Sequence, residues 1–144
     1  MDDVDRGRNG FSYEDPGSDD LWVSEARSGP TREKSRCFAL SIIALYQKMQ
    51  DAKEFVISKQ LLRCGTSIGA NVEEGLAAES RRDFLHKMTI ASKEARETVY
   101  WLGLLDESGL VPSLDVAVHL DQARELVRLL TSIVKTTRES MPRQ

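Results

Sequence analysis

No proline occurs between Pro30 and Pro112, and this long stretch constrains the fold more than any other feature of the sequence. Proline breaks helices because it lacks a backbone donor and clashes with the preceding turn, so its absence leaves the stretch free to be helical. Apolar residues recur here at steps of 4 and 3, the spacing of one face of an amphipathic helix. No alternating pattern typical of strands is visible. The sequence therefore predicts an all-α fold.

Two amphipathic segments come first. The first predicted helix carries apolar residues spaced 4, 3 and 4, namely Phe38, Ile42, Leu45 and Met49. The second is predicted from about Phe55 or Ser58 to about Ala78. Each glycine costs a helix about 1 kcal/mol relative to alanine, so Gly65 and Gly69 are expected where another helix packs closely. The alternative is a break in the second helix at these glycines.

Two further helices follow. The third is predicted to begin at a Ser80 cap, with Asp83 three residues later, and to end at Gly109. Its apolar stripe is regular and consists of Phe84, Met88, Ala91, Ala95, Thr98, Leu102 and Leu105. The fourth is predicted to be capped by Ser113. Its stripe consists of Val116, Leu120, Ala123, Val127, Leu130 and Val134, widened by Leu126, Leu129 and Ile133. Short connections favour an antiparallel up-down-up-down four-helix bundle over residues 31–140.

Residues 1–30 differ in kind from the rest. They carry eight acids and three bases, a net charge of −5, whereas the remainder carries +2. Their Gly, Pro, Asp and Ser content predicts a disordered acidic tail. Its aromatic residues Phe11, Tyr13 and Trp22 fit a peptide that folds onto a partner, and the alternative is an extension without function. A tail of this charge could also compete with nucleic acid for a basic face of the same protein.

The sequence offers no recognisable catalytic or metal-binding motif. A di-iron bundle needs Glu-x-x-His on two helices, but His86 follows Asp83 and His119 follows Val116 at that spacing. Glycine-rich phosphate-binding motifs are absent. Cys37 and Cys64 lie among apolar or small residues, which predicts two buried thiols. We therefore expect a protein that is not an enzyme and uses no metal or cofactor.

The charge pattern and the cysteine content predict a cytoplasmic protein that does not cross a membrane. The longest uncharged stretch, residues 37–47, is shorter than the roughly 20 residues that a membrane-spanning helix needs. The acidic N-terminus lacks the basic and then apolar pattern of a secretory signal. Two cysteines form no disulfide framework, which favours a reducing compartment.

A polar set on the second and third helices allows two interpretations. It comprises Asn71, Glu73, Glu74, Glu94 and Glu97. One interpretation is a carboxylate site, which would make the protein an enzyme. The favoured one is a structural polar layer, its carboxylates bonded to Ser67, Asn71, Thr98 or Arg96, or to a neighbouring subunit.

Basic and aromatic residues suggest two surfaces. Candidate phosphate contacts are Arg81, Arg82, Lys87, Arg124 and Arg128. In a monomer these form an ordinary solvated face, but repeated around a ring they would hold phosphates. The isoelectric point of about 5.5 is low for a dedicated nucleic-acid binder. Tyr100, Trp101 and Leu104 flank the third helix's stripe, which predicts a subunit interface, the alternative being a wide monomeric core.

Three segments, Ser67–Gly75, Ser80–Phe84 and Ile90–Thr98, resemble the bacterial four helix bundle protein family. That family includes proteins encoded in intervening sequences of large-subunit ribosomal RNA genes, and the accessory variability determinant of diversity-generating retroelements. The resemblance covers roughly residues 34–138. The residues that match the family motif are Ser67, Asn71, Glu74, Gly75, Glu94 and Glu97.

The resemblance implies a four-helix bundle that assembles as a barrel-shaped homopentamer. In the retroelement members the pentamer is a basic, non-catalytic partner that binds nucleic acid and a reverse transcriptase. It implies no catalytic residues, and we interpret the motif residues as architectural. We therefore expect a homo-oligomeric scaffold for RNA or DNA or a reverse-transcriptase-like partner. The alternative is a protein–protein interaction module without nucleic-acid binding, in which the tail recognises the partner.

Overall fold

The computed structural model of the chain describes residues 29–143. Four helices make up most of this part: α1 (Thr31–Asp51), α2 (Ile57–Leu76), α3 (Arg81–Ser108) and α4 (Ala117–Glu139). No strand occurs in these described residues. The predicted all-α class is confirmed. The predicted tail, with Phe11, Tyr13 and Trp22, lies outside the described residues except for its last two positions.

Contacts between helices give their directions. The first turn of α1 reaches the last turns of α2, because Arg32 Nε lies 2.7 Å from Glu73 Oε1. Further along α1, Ile42 packs against Gly65, which lies earlier in α2. Residue numbers thus rise along α1 as they fall along α2, so the two helices are antiparallel.

The other consecutive pairs follow the same rule, since Arg63 and Glu74 of α2 pair with Glu97 and Lys87 of α3 in reverse order. Between α3 and α4, Arg81 Nη1 donates to the Ser140 carbonyl at 2.7 Å, and Arg96 Nη2 donates to Thr131 Oγ1 at 3.1 Å. The α1–α4 side is closed by an ion pair between Lys34 and Glu125. The helices therefore form an up-down-up-down bundle, in which α1 begins and α4 ends at the same end.

The core follows the predicted stripes on α1 and α3 and departs from the predicted stripe on α4. Every predicted stripe residue of α1 and α3 is buried. On α4 the buried line runs through Leu126, Leu130, Ile133 and Thr137, while Val127 and Val134 are half-buried. An α-helix turns once per 3.6 residues, so a strict seven-residue repeat drifts around its surface. This drift turns Val127 away from the core centre.

The predicted α3 caps are confirmed, but the predicted α4 cap is not. Ser80 Oγ accepts from the Asp83 amide at 3.0 Å, and Gly109 closes α3 with a left-handed φ of 61°. Helix α4 begins only at Ala117, too far along the chain for Ser113 to cap it. Instead Asp115 Oδ1 accepts from the Ala117 amide at 3.0 Å.

Glu54 caps α2, and no sequence pattern had predicted this cap. Its carboxylate accepts backbone N–H groups of Val56, Ile57 and Ser58 at 3.0, 2.9 and 2.8 Å. Burial acts to raise the pKa of Glu54, but these hydrogen bonds outweigh it and hold the pKa below its usual value. The charged carboxylate thus satisfies three amides that a helix start leaves without partners.

Among the described residues, no helix combines the length and apolar character that a membrane crossing requires.

Candidate functional site

A groove between α3 and α4 is a candidate site in the described part of the chain. It has a volume of about 400 Å³, and its lining residues are Arg96, Val99, Arg124, Val127 and Arg128. We call it the α3–α4 groove. The helical spacings i, i+3 and i+4 bring these side chains to one face of each helix. The two valines are half-buried against the core, and the three arginines are exposed at the rim. The groove thus combines an apolar floor with three guanidinium groups.

Few acceptors oppose these guanidinium groups within the described residues. Arg96 donates to the neutral Thr131 hydroxyl. Arg124 Nη1 lies 4.0 Å from Oδ1 of the exposed Asp121, the outer limit of an ion pair. Arg128 has no ion-pair partner in residues 29–143. An exposed ion pair contributes little and is screened by salt, so the groove keeps an excess of positive charge.

The structure divides the five predicted phosphate contacts among three places. Arg124 and Arg128 lie together in the α3–α4 groove. Arg81 and Arg82 lie at the start of α3, and Arg81 binds the end of α4. Lys87 is at the α2–α3 surface, where its Nζ lies 3.0 Å from Glu74 Oε2.

Arg96 joins Arg124 and Arg128 but was not among the predicted contacts. Its place depends on the register between α3 and α4, which pairs Arg96 with Thr131. A regular stripe on each helix gives the faces that meet but not the vertical offset between them. Only the i, i+4 pair on α4 could have signalled the groove from sequence.

Several residues of the family motif join α2 to α3. Arg63 of α2 forms ion pairs with both Glu97 and Glu94 of α3, the latter at 3.4 Å. Glu97 Oε1 also accepts from the Trp101 indole N–H at 3.2 Å. One guanidinium therefore holds two carboxylates and, through Glu97, orients the indole ring. These ion pairs join α2 to α3.

The rest of the motif acts over shorter distances. Asn71 Nδ2 donates to the Ser67 carbonyl and hydroxyl at 2.9 and 3.0 Å, one helical turn earlier. Gly75 faces α3 so closely that a Cβ there would lie 2.5 Å from Met88 Cε. The Asn71 contacts lie within α2, whereas Gly75 allows the close packing of α2 against α3.

The partners expected within the chain for Glu94 and Glu97 were wrong, while the expected contact with a neighbouring subunit stays a prediction. Neither Glu94 nor Glu97 bonds to Ser67, Asn71, Thr98 or Arg96 within the described residues. Arg63 takes that place, since it lies on α2 at the height of the Glu94–Glu97 turn. The Thr98 hydroxyl instead lies 2.7 Å from the Glu94 backbone carbonyl.

The two cysteines have different environments, so the expectation of two buried thiols was half wrong. Cys64 is buried, with Thr98 Oγ1 3.2 Å from its sulfur, and Cys37 is exposed beside Glu33. Burial raises the pKa of Cys64, and the Glu33 hydrogen bond raises that of Cys37. Nucleophilic attack requires the thiolate, so neither thiol is activated at neutral pH.

The predicted interface residues form a partly exposed apolar patch on α3. Tyr100 is 58% exposed, and its ring meets the Trp101 ring edge-on with centroids 5.3 Å apart. Trp101 and Leu104 are half-buried. Further exposed apolar side chains, Leu40 and Ile43, lie on α1.

The groove's chemistry fits an anion that also carries an apolar or aromatic group. A guanidinium offers paired donors to phosphate or carboxylate and stacks on aromatic faces. Val99 and Val127 provide the apolar surface beneath. Within residues 29–143 no three His, Cys, Asp or Glu side chains are grouped as a metal ion would need.

Comparisons with known proteins identify a family and a similar solved structure. A family model described as 23S rRNA-intervening sequence protein matches residues 31–132. A solved structure from Bacteroides thetaiotaomicron VPI-5482, a protein of unknown function from the S23 ribosomal protein family, is 43% identical. The match covers 77% of this chain and 98% of that one, with a TM-score of 0.71. No curated protein matches the chain.

Proposed function

The chain belongs to the 23S rRNA-intervening sequence protein family, and we propose that it is a non-enzymatic, homo-oligomeric scaffold that binds RNA or DNA. The expected assembly is a pentamer. It would work in the cytoplasm, with a reverse-transcriptase-like protein as a further partner. The observation that carries this proposal is the α3–α4 groove, where three arginines surround an apolar floor.

The charge of the groove supports a polyanionic ligand. Of its three guanidinium groups, only Arg124 has a carboxylate nearby in the described residues, at 4.0 Å. Phosphates that displace counterions from such a site bind in a strongly salt-dependent way. Nucleic-acid bases can also stack on arginine side chains or lie against Val99 and Val127.

Oligomerisation would make this modest charge effective. The described helices present one groove per chain, and the whole chain is acidic. A ring would repeat the groove at regular intervals, so that one strand could contact several copies and gain avidity. The exposed Tyr100 lies next to Trp101 on the same helix as Arg96, and we propose that it lies in the subunit interface.

The state of the carboxylates favours binding over catalysis. Glu94 and Glu97 are paired with Arg63, and Glu74 is paired with Lys87. A general acid or base must be free to exchange a proton with a bound substrate. The motif carboxylates instead contribute to contacts between helices.

The test is size-exclusion chromatography with light scattering, followed by titration of a labelled 20-nucleotide RNA at several salt concentrations. We expect about 81 kDa, five times the 16.2 kDa chain, and RNA affinity that falls with salt. The double variant Arg124→Glu/Arg128→Glu should abolish binding. The control Lys53→Glu/Lys59→Glu makes the same charge change at two exposed positions outside the groove and should retain binding.

A mass of one chain would contradict the proposal that the protein is a homo-oligomeric scaffold. Equal RNA binding by the groove variant and the control would contradict the proposal that the α3–α4 groove binds RNA. If the groove is the site, removing only Arg128 with Arg128→Gln should reduce the salt slope by about 1.

A further inference from the structure

We propose that the α3–α4 groove is a docking site for the chain's own N-terminal segment, residues 19–25. This segment precedes the described part of the chain and reads Asp19-Asp20-Leu21-Trp22-Val23-Ser24-Glu25. The occupant is thus an acidic peptide with an aromatic anchor. The docking itself does not require that the protein bind nucleic acid.

The segment and the groove have complementary patterns. In the segment, Asp19, Asp20 and Glu25 flank three apolar residues centred on Trp22. In the groove, three arginines surround two half-buried valines. Carboxylates accept paired hydrogen bonds from guanidinium groups, and an indole ring stacks well on arginine or packs on an apolar floor. Each part of the segment therefore has a counterpart in the groove.

The position of α1 brings the segment within reach. Lys34, in the first turn of α1, pairs with Glu125 of α4, and Glu125 directly follows Arg124. Along α4, the start of α1 therefore lies level with Arg124, on the side of α4 that faces away from the groove. An α-helix with its side chains is about 10–12 Å wide.

The connecting chain is long enough to pass around α4. Nine residues run from Trp22 to Pro30, and an extended chain spans up to about 3.3 Å per residue. The reach of about 30 Å exceeds the path around one side of a helix of this width. Trp22 can therefore lie over Val99 and Val127 of its own subunit.

Docking would have a regulatory consequence, which rests on the proposed function. A docked segment places three carboxylates among the arginines that we propose as phosphate contacts. It would compete directly with nucleic acid, and a strong polyanion would have to displace it. Part of the negative charge that lowers the isoelectric point of the whole chain would then lie in the groove and compete with nucleic acid.

The docking test measures how well acrylamide quenches Trp22 in the full-length chain. The Trp22→Phe variant gives the signal of Trp101, which is subtracted. We expect Trp22 to be several-fold less quenched than in a synthetic peptide of residues 16–28. In Arg124→Glu/Arg128→Glu that protection should be lost, and in the control Lys53→Glu/Lys59→Glu it should persist. Protection that survives in the groove variant, or no protection in the unaltered chain, would overturn the inference.

A second arm separates docking from nucleic-acid binding. The full-length variant Asp19→Asn/Asp20→Asn/Trp22→Ala keeps the groove but weakens the proposed segment. It should bind the 20-nucleotide RNA about tenfold more tightly, the equivalent of one charge-assisted hydrogen bond. Protection of Trp22 with no RNA binding by any variant would leave docking in place and contradict the proposed function. RNA binding that the variant leaves unchanged would show that the segment does not compete, and would overturn the regulatory role.

Discussion

The Cβ atom that Gly65 lacks would lie 2.9 Å from Cγ1 of Ile42 and 3.0 Å from its Cγ2. Carbon atoms do not approach this closely without something moving. Ile42 is fully buried, and its branched side chain has few alternative rotamers. The glycine therefore sets how closely α1 and α2 can pack.

Gly65→Ala should destabilise the protein by about 1–2 kcal/mol, because overpacking outweighs the helix propensity gained with alanine. The measurement is the free energy of unfolding in urea. Gly103→Ala is the control: it lies within α3, and among the described residues no atom beyond its chain neighbours and its own helix backbone lies within 4 Å of its missing Cβ. That substitution should stabilise by about 0.5–1 kcal/mol. Equal effects at the two sites would show that the close packing at Gly65 has no energetic weight.

Glu54→Gln should lower the stability by about 1–2 kcal/mol at pH 7, since it weakens the cap on three amides of α2. The acid response should change too. Burial alone would raise the pKa of Glu54, but the hydrogen bonds from Ile57, Ser58 and Val56 hold it below the usual 4.5. The charged cap stabilises the fold above pH 4.5 and is lost as the pH falls through the lowered pKa.

Urea unfolding at pH 7 and near pH 3 measures both effects. The difference between Glu54→Gln and the unaltered protein should shrink at the lower pH. Glu79→Gln, at an exposed carboxylate in the α2–α3 loop, should change the stability by a few tenths of a kcal/mol. A constant difference across the pH range would contradict the charged cap.

Lys53→Gly should stabilise the protein. Lys53 has a φ of 60°, and its amide and that of Glu54 bond back to the carbonyls of Gln50 and Met49 at 2.9 Å each. These two hydrogen bonds form a Schellman motif at the end of α1, and this motif favours glycine at the left-handed position. Relief of the strain should be worth up to about 1 kcal/mol in urea unfolding. Lys53→Ala keeps the strain and should bring no such gain.

His119 should make the protein sensitive to mild acid. Burial, followed by the charge of Lys48, lowers the pKa of His119 below 6.5, against smaller opposing effects from Ser41 and Asp115. Its Nδ1 is buried without a hydrogen-bond partner in the described residues. The unfolded chain then takes up the proton first, so stability falls as the pH drops below 6.5.

The measurement is the Tm at pH 7.5 and pH 5.0. His119→Gln should reduce the loss of Tm at pH 5.0, whereas His86→Gln, at an exposed position, should leave the loss as it is. A similar acid response in all three proteins would mean that other groups dominate.

Local patterns predicted the helices and most of the core, because burial on a helix follows a period that the sequence displays. Phe84 and Leu105 are buried as their spacing predicts, and Ser80 caps α3 because a cap needs only neighbours three residues away. The close packing at Gly65 and Gly69 followed from the cost of glycine in a helix. Each of these inferences depends on contacts within one helix or on one face.

What could not be predicted depends on how one helix is placed against another. Arg63 reaches Glu94 and Glu97 only because of the α2–α3 offset. Arg96 joins Arg124 for the same reason, between α3 and α4. The start of α4 was misplaced because Ser113 and Asp115 are both good caps, and the local sequence does not choose between them.

An even number of antiparallel helices returns the chain to the end from which it started, so Thr31 and Glu139 leave the bundle on one side. Any domain fused before α1 or after α4 would therefore add its mass to that side alone. The opposite side, formed by the α1–α2 and α3–α4 loops, would stay open. As a building block the bundle is one-sided, and it can be attached to another protein by both chain ends without covering its far face.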